Sequence, residues 1–521
     1  MNYTVTIENK GITVEVPEGT DLLTAQRMAD LNPDAPCGGT GKCKKCLVRL
    51  VEKSEDGSIE TRDVVACTYP VRRDLTIRTI DRNAGAQILM HSDQGQKEGS
   101  EPRVFPGLEN NLLAAFDIGT TTIAGFLIDA ADGKLLAEAG VLNPQAQFGG
   151  DVISRCIYAQ EHGSESLSEP VRRAVSELLV ELGRKAGSRP EQISQITICG
   201  NTAMHHLFLG IPTDPLVKAP YPCGDRESLD LKAASYGLPA APGAILTVLP
   251  LIGSFVGADT AACIESVEFD RQEKPILMID IGTNGEIVLG NKNRRFACST
   301  AAGPAFEGAN IHCGMRGADG AVDHIDFDGT DLQIHVIGEG RAKGICGSGL
   351  LDAASVCLEA GLIRPDGRIL DENSVPESLR HRMCSEDGIR AVRLDGDVVL
   401  TQKDIRELQL AKAALAAGIT ILMKRYGIAD PDSEIGDVLI AGAFGTFLRP
   451  ESACRIGLIP GELYSHIRAV GNAAGKGARD CVLSQKNYER CVKLAGETEF
   501  VELAAEPDFQ ELYVGHMYFP E

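Results

Sequence analysis

Four cysteines near the start of the chain are spaced as metal ligands could be. Cys37, Cys43, Cys46 and Cys67 form a C-x5-C-x2-C-x20-C pattern, and three glycines separate the first two. Glycine lets backbone N–H groups approach sulfur atoms, which an iron–sulfur cluster requires. Structural zinc sites usually combine two close ligand pairs, whereas this pattern contains a single CxxC pair. The spacing therefore favours an iron–sulfur cluster over a zinc site or four unrelated thiols.

A second set of chemical groups lies in a motif that occurs twice. "FDIGTTT" and "IDIGTNG" place Asp117 and Asp280 at the ends of two apolar runs. The aspartates can hold Mg²⁺ or orient an attacking water, and the open glycine turn offers amides to phosphate oxygens. The turn residues predicted to bind phosphate through backbone amides, hydroxyls or a side-chain amide are Gly119, Thr120, Thr121, Thr122, Gly282, Thr283 and Asn284.

The flanking sequence predicts the elements that must position both sets of groups. "YTVTIE" and "ITVEV" alternate apolar and polar residues about an "NKG" turn, which predicts a hairpin. "TDLLTAQRMADLN" has the apolar spacing of a helix, and "CLVRLVE" and "LTIRTI" predict further strands. Each DIGT turn joins two apolar strands. The repetition of this unit predicts two related lobes that face each other.

Length and composition restrict the class of protein. With 521 residues the chain is too long for one hydrophobic core. The formal charge of −22 argues against nucleic-acid or anionic-membrane partners. We find no secretory signal and no apolar run long enough for a membrane span. Sixteen cysteines in such a chain are more consistent with thiols and metal ligands than with disulfides. We therefore expect a cytoplasmic enzyme or electron carrier.

The N-terminal segment resembles the plant-type [2Fe–2S] ferredoxins. Their β-grasp fold places a C-x4-C-x2-C loop and a distant fourth cysteine around the cluster. The loop in this chain is one residue longer in its first gap. The resemblance implies a [2Fe–2S] cluster held by Cys37, Cys43, Cys46 and Cys67.

The two DIGT turns resemble the phosphate-1 and phosphate-2 motifs of the superfamily that includes sugar kinases, heat-shock chaperones, actin and acetate kinase. This resemblance implies a two-lobed, actin-like ATPase of duplicated ribonuclease-H-like folds that binds ATP with Mg²⁺. It places Asp259 of "FVGADTAACIESVEF" near the position of an acidic catalytic residue, beside Asp117 and Asp280. It also places Gly303 after phosphate-2, and Gly442 and Gly445 of "VLIAGAFGTFL" near the nucleoside.

These assignments divide the chain into an α+β and an α/β part. We expect a [2Fe–2S] ferredoxin-like β-grasp domain at 1–81 and a flexible linker at 82–111, which is rich in Gly, Gln and Ser. The ATPase domain is expected at 112–521, with lobes at about 112–270 and 271–500.

The combination resembles the ATP-dependent reductive activators of corrinoid proteins, which serve the acetyl-CoA pathway and O-demethylation in anaerobes. "NPQAQFGGDVISR", "GNTAMHHLFLG" and "GICGSGLLD" also look like this family. The resemblance implies ATP-dependent reduction of inactive Co(II) to Co(I) by electrons from the cluster. The resemblance implies that the partner is a corrinoid protein of a methyltransferase system or a corrinoid iron–sulfur protein. It also implies a low-potential electron donor and assembly as a homodimer. The larger relatives carry a further small domain before the ATPase, where this chain has room only for the linker.

Three other functions are compatible with parts of the sequence. A metabolite kinase with a redox-sensing ferredoxin domain would consume ATP in response to a sugar or an acid. A plain electron carrier with a degenerate ATPase domain would not bind nucleotide. An activator of a radical dehydratase also joins this ATPase fold to a cluster, but that cluster lies between two subunits and no ferredoxin domain is needed. The ferredoxin-like cysteine loop of this chain therefore argues against the dehydratase alternative.

Overall fold

The computed structural model describes residues 1–31, 33, 35, 37–41, 44–53, 59–80, 90, 100–109, 111–219 and 221–521. The predicted cluster ligand Cys43 lies outside the described residues, as does most of the predicted linker. Within the described part of the chain, no helix combines the length and apolar character that crossing a membrane requires.

The N-terminal part forms a five-stranded sheet against one helix. Its elements are β1 (Asn2–Ile7), β2 (Ile12–Pro17), α1 (Leu22–Met28), β3 (Leu47–Lys53), β4 (Ile59–Val65) and β5 (Leu75–Thr79). The strand order is β2-β1-β5-β3-β4, with β1 and β5 parallel and the other pairs antiparallel. Asp21 caps α1 by accepting a hydrogen bond from the Thr24 amide, and the apolar face of α1 packs on the sheet. The predicted β-grasp fold is confirmed.

The second part begins with a six-stranded sheet and four helices. Its elements are β6 (Leu112–Ile118), β7 (Thr122–Asp129), β8 (Leu135–Leu142), α2 (Val152–His162), α3 (Glu165–Lys185), β9 (Ile193–Gly200), α4 (Thr202–Leu209), β10 (Leu229–Lys232), β11 (Ile245–Val248) and α5 (Ala258–Ser266). The strand order is β10-β11-β9-β6-β7-β8. Strand β6 pairs antiparallel with β7 and parallel with β9, so it lies in the interior of the sheet and its side chains are almost all buried.

The third part contains a second six-stranded sheet. Its elements are β12 (Ile276–Ile281), β13 (Gly285–Gly290), β14 (Arg295–Thr300), β15 (Ala321–Phe327), β16 (Leu332–Val336), β17 (Gly344–Ile345), α6 (Gly347–Glu359), β18 (Met383–Glu386), β19 (Ile389–Asp395), β20 (Val398–Thr401), α7 (Gln402–Tyr426), α8 (Pro431–Glu434), β21 (Val438–Ala441), α9 (Gly442–Phe447), α10 (Pro450–Arg455), β22 (Ile467–Gly471), α11 (Ala473–Leu483), α12 (Gln485–Glu497), β23 (Thr498–Phe500) and α13 (Phe509–Gly515). The order of the large sheet is β22-β21-β12-β13-β14-β23, and two three-stranded sheets accompany it.

The two large sheets repeat the same arrangement around the DIGT turns. Each DIGT strand, β6 or β12, pairs antiparallel with the strand after the turn and parallel with a later strand on its other side. Helices α5 and α11 pack against each other and share one hydrophobic core with residues of both sheets. The two turns therefore lie at corresponding strand ends, as expected for the predicted two-lobed ATPase.

Candidate functional site

The two DIGT turns line one cleft of about 520 Å³ between the two large sheets. Asp117 and Asp280 are the penultimate residues of β6 and β12, and Asp259 lies in the first turn of α5. Glu286, which was not among the predicted site residues, lies on β13 directly opposite Asp280 in the strand register. All four carboxyl groups line the cleft. The fold therefore brings together acidic side chains from both lobes.

Desolvation and mutual repulsion weaken the acidity of these carboxyl groups. Desolvation, with the charges of Asp259 and Asp280, raises the pKa of Asp117 to about 7. Desolvation and the charge of Asp280 raise the pKa of Asp259 to about 7, and desolvation alone raises that of Asp280 to about 6. The pKa of Glu286 is raised well above its usual range by desolvation and by the charges of Asp259 and Asp280. A bound cation would relieve this repulsion.

The arrangement fits Mg²⁺ held together with phosphate groups. Within the described ranges, no three His, Cys, Asp or Glu side chains are arranged to hold one metal ion by themselves. Mg²⁺ commonly keeps several waters and takes only one or two carboxylates besides substrate phosphates. Asp117 and Asp280, one from each lobe, are the residues that would hold it, directly or through its waters.

Each turn is closed by a hydrogen bond from its glycine amide, although the bond spans three residues in the first turn and two in the second. The Gly119 amide donates to the Thr122 carbonyl at 2.9 Å, and the Gly282 amide donates to the Asn284 carbonyl at 2.9 Å. Gly442 approaches Asp280 so closely that a Cβ at this position would lie 2.7 Å from its Oδ1, and its φ of +82° also favours glycine. Glycine at position 442 therefore leaves room for the Asp280 carboxylate.

Two further side chains support the turns. Asn201 caps α4 and donates from Nδ2 to the Thr120 hydroxyl at 2.9 Å. Asn472 caps α11, and its hydrogen bond to Asp117 lowers the pKa of that carboxyl, against the stronger effect of desolvation. Neither was among the predicted site residues, although Asn201 lies in "GNTAMHHLFLG", one of the segments that resemble the family, and directly follows the strand β9 that pairs with β6.

Glu307 connects the two turns across the cleft. Its carboxylate accepts a hydrogen bond from the Thr121 hydroxyl at 3.2 Å and another from the Thr283 hydroxyl at 2.8 Å. Its position inside "GPAFEGANI" was visible in the sequence, but nothing in the local pattern indicated that it faces both turns. The hydroxyls predicted to bind phosphate are thus bonded to a carboxylate here.

Most of the predicted cleft residues lie in the cleft. The lining includes Asp117, Gly119, Thr120, Thr121, Thr122, Asp259, Asp280, Gly282, Thr283, Asn284 and Gly442. Gly303 and Gly445 are not among the lining residues. Gly303 begins the short helical turn that carries Glu307, and Gly445 packs against Ile440, where a Cβ would lie 2.5 Å from Cγ2. Their contact with a nucleotide stays a prediction.

The cysteine loop connects α1 to β3, and Cys67 lies in a helical turn directly after β4. Desolvation and a hydrogen bond with Cys46 raise the pKa of the Cys67 thiol to about 12, and the charge of Cys37 adds to the effect. The Gly41 backbone hydrogen bond to Cys67 acts in the opposite direction. Within the described part of the chain, Cys37, Cys46 and Cys67 form no disulfide. Soft thiol donors with a backbone donor beside them fit an iron–sulfur cluster, which binds thiolates.

Fold and site together define the class of protein, a ferredoxin domain joined to an ATPase of the actin-like superfamily. Residues 5–72 match the 2Fe-2S iron-sulfur cluster binding domain. Residues 112–272 match the RACo middle region, and residues 274–521 match the C-terminal domain of RACo, the ASKHA domain. The predicted fold class and the predicted [2Fe–2S] and ATP cofactors are thereby confirmed.

Relatives that match over most of the chain specify the family further. The chain is 34% identical over 563 aligned positions to the corrinoid activation enzyme RamQ of Eubacterium limosum, with 93% of each chain covered. It is 24% identical over 445 positions to a [Co(II) methylated amine-specific corrinoid protein] reductase of Methanosarcina barkeri, covering 77% of this chain and 75% of the relative. A solved structure of a reductive activator for corrinoid, iron-sulfur protein aligns with a TM-score of 0.72 at 27% identity, covering 100% of this chain and 98% of that one. This chain belongs to the family of reductive activators of corrinoid proteins.

The raised pKa values of the cleft carboxyl groups predict how the free energy of unfolding of the metal-free protein depends on pH. A carboxyl group whose pKa is higher in the folded state stabilises the fold below its unfolded pKa of 3.8, and this stabilisation is lost as pH rises through its folded pKa of about 7 for Asp117 and Asp259. In EDTA, the free energy of unfolding should therefore fall between pH 4 and pH 7, by about 1.4 kcal/mol per pH unit for each carboxyl that ionises. Denaturant titrations should show a shallower pH dependence for Asp259→Asn than for the wild type. An identical dependence in both proteins would contradict the pKa assignment.

Proposed function

We propose that this chain reduces the inactive Co(II) state of a corrinoid protein to Co(I), with electrons from its [2Fe–2S] cluster and free energy from ATP. One observation carries the proposal: an iron–sulfur loop and a two-lobed ATPase cleft occur in one chain whose relatives, matched over more than nine-tenths of their length, are named as corrinoid activators. Neither half alone distinguishes this function from that of a ferredoxin or of a kinase.

The chemistry explains why both halves are needed. The Co(II)/Co(I) couple lies very low, so reduction by ordinary cellular donors is uphill. Each 59 mV of unfavourable potential costs about a factor of ten in a one-electron equilibrium. ATP can offset this cost if its binding or hydrolysis favours a complex in which cobalt has lost an axial ligand. When bound, the cluster supplies one-electron transfer, and the ATPase cleft supplies the conformational change.

The site residues and the domain limits are part of the same proposal. We propose that Cys43 completes the ligand set of Cys37, Cys46 and Cys67, and that Asp117, Asp259 and Asp280 position Mg²⁺ and the attacking water. Residues 1–81 would then deliver the electron, residues 82–111 would link the domains, and residues 112–521 would bind ATP. The observed cleft lining and the three described thiols support these roles.

We also propose a low-potential donor, a homodimer and a cytoplasmic location. Each Co(I) formed consumes one electron, so the cluster must be reduced again after every cycle. The dimer rests on the family resemblance alone, and light scattering of the purified protein would test it. The charge of −22 fits a protein that works without nucleic acid or anionic membranes.

The proposal predicts that Co(I) formation requires Mg-ATP. We expect the chemically reduced protein to produce little Co(I) from a Co(II) corrinoid protein until Mg-ATP is added, after which the Co(I) absorption band should appear. Corrinoid proteins of methyltransferase systems and corrinoid iron–sulfur proteins should be compared as partners. Equal rates with and without nucleotide would show that ATP does not drive the transfer. ATP consumption stimulated by a small metabolite, with no corrinoid protein responding, would favour the metabolite kinase.

A further inference from the structure

The cysteine loop contacts the ATPase domain at Gly308. This residue follows Glu307, whose carboxylate joins the two DIGT turns. Lys45, which precedes Cys46, donates from Nζ to the Gly308 carbonyl at 2.6 Å. Gly308 follows Glu307, whose carboxylate accepts from the Thr121 and Thr283 hydroxyls. Two consecutive residues, Glu307 and Gly308, therefore connect both turns to the loop that carries a predicted cluster ligand.

A second contact between the domains is also attached to the first turn. The Arg27 guanidinium donates to the Gln147 carbonyl and lies 5.4 Å from the centroid of the Phe148 ring. The Phe148 carbonyl oxygen lies so close to Gly38 that a Cβ there would be 3.2 Å from it. The cysteine loop and α1 thus both contact the segment 147–148.

The chain leads into that segment from Asn143, a residue bonded to the phosphate-1 turn. The Asn143 amide donates to the Thr121 carbonyl at 2.8 Å, and Asn143 Nδ2 donates to the Gly119 carbonyl at 2.8 Å. A short helical turn, Pro144–Gln147, then leads to the surface on which Arg27 lies. These two contacts of the ferredoxin domain therefore lead back to the turns that are predicted to bind phosphate, whereas a third, the ion pair of Asp30 with Arg173 of α3 at 2.9 Å, does not.

A nucleoside triphosphate would compete with Glu307. The Thr121 and Thr283 hydroxyls are predicted phosphate donors, yet both donate to the Glu307 carboxylate here. A hydroxyl has one proton to donate, so it cannot serve a carboxylate and a phosphate at the same time. The like charges of the carboxylate and the polyphosphate add repulsion. Phosphate binding should therefore move Glu307 and, with it, the Gly308 carbonyl.

We propose that Glu307 is the positioning residue through which nucleotide binding releases the ferredoxin domain from the ATPase cleft. Without nucleotide, Lys45 holds the cysteine loop against Gly308, and this part of the loop faces the ATPase domain. When triphosphate displaces Glu307, the Lys45 contact breaks and the loop becomes available to a partner protein. The inference rests on the proposed function, because it assigns a regulatory step to the same cleft and the same cluster loop.

The test is hydrogen–deuterium exchange of the full-length, cluster-loaded protein without any corrinoid protein. Adding Mg²⁺ with a non-hydrolysable ATP analogue should speed exchange in the peptides that contain Leu22–Met28 and 144–148. In Lys45→Met, exchange in these peptides should already be about tenfold faster without nucleotide, the effect of losing one charge-assisted hydrogen bond. Adding the ATP analogue to Lys45→Met should then increase the exchange rate of these peptides little further.

Two variants separate this contact from a general effect of charge. Lys44→Met removes the same charge from the neighbouring residue, whose side chain is exposed, so its exchange should match the wild type. Lys45→Arg keeps a cationic donor and should restore most of the protection. The cluster's absorption spectrum should be unchanged in all three variants, which shows that the loop remains folded.

Glu307→Gln tests the competition directly. Removing the negative charge should lower the dissociation constant of the ATP analogue about tenfold, because the neutral side chain no longer repels the phosphates. The exchange of Leu22–Met28 should also respond less to the analogue. Weaker nucleotide binding in Glu307→Gln would show that the carboxylate assists binding, and it would overturn the proposal.

The failure of this inference is distinguishable from the failure of the proposed function. If the wild type forms Co(I) with Mg-ATP but its exchange at Leu22–Met28 does not respond to nucleotide, the release step is wrong and the function stands. If exchange responds as expected but no corrinoid protein is reduced, the release step stands and the proposed function is wrong.

Discussion

Replacing Asp280 by alanine should reduce ATP hydrolysis by about a thousandfold and abolish ATP-dependent Co(I) formation, while the cluster remains intact. Asp280 is the penultimate residue of β12, faces Glu286 across the hairpin and lies beside Gly442 in the cleft. Removing its carboxylate takes away one of the two aspartates that would position Mg²⁺ and the attacking water. The steady-state rate of phosphate release and the Co(I) absorption band measure the two effects.

Further variants separate the effect of losing the negative charge of Asp280 from the effect of shortening its side chain. Asp280→Asn keeps the size of the side chain but removes the charge, so it should lose nearly as much activity as Asp280→Ala. Asp132→Ala removes an exposed carboxylate from the loop after β7, at the end of that strand away from the phosphate turn, and should hydrolyse ATP at the wild-type rate. Wild-type hydrolysis in both Asp280→Ala and Asp117→Ala would show that the DIGT turns do not form the catalytic site.

Replacing Cys46 by serine should eliminate the [2Fe–2S] cluster and all electron delivery to cobalt. Cys46 is buried beside Cys67, with which it shares a hydrogen bond, so a serine oxygen would replace a soft ligand inside the loop. The wild-type protein, purified without oxygen, should contain about two irons and two sulfides per chain. Cys46→Ser should contain neither and should give no Co(I) with Mg-ATP.

A matched cysteine variant shows whether the effect is specific to the loop. Cys313 is a partly exposed thiol that hydrogen-bonds to the Asp397 carbonyl in the ATPase domain, so Cys313→Ser should keep the full iron and sulfide content. Cys46→Ser should still bind the ATP analogue, because the nucleotide cleft is built by other elements. Stoichiometric zinc without sulfide in the wild type would refute the cluster assignment.

The sequence by itself determined the two sets of reactive groups and the folds that carry them. Cysteine spacing, the repeated DIGT turn and the alternation in the flanking strands are local patterns, since each depends on residues that are neighbours along the chain. Local patterns of this kind are sufficient to place Asp117 and Asp280 at strand ends. The β-grasp and the two-lobed ATPase followed from the resemblances that these patterns carry.

Only the tertiary structure decided which groups meet at the site. Glu286 faces Asp280 through strand register, and Glu307 meets Thr121 from 186 positions away because the two lobes pack together. Lys45 reaches Gly308 across 263 positions of sequence. Such contacts have no local signature, because an exposed lysine or a glutamate in a glycine-rich turn looks the same in sequence whether it faces solvent or another domain. Their partners are determined by how the hydrophobic faces of the sheets and helices pack, and this packing depends on the whole chain.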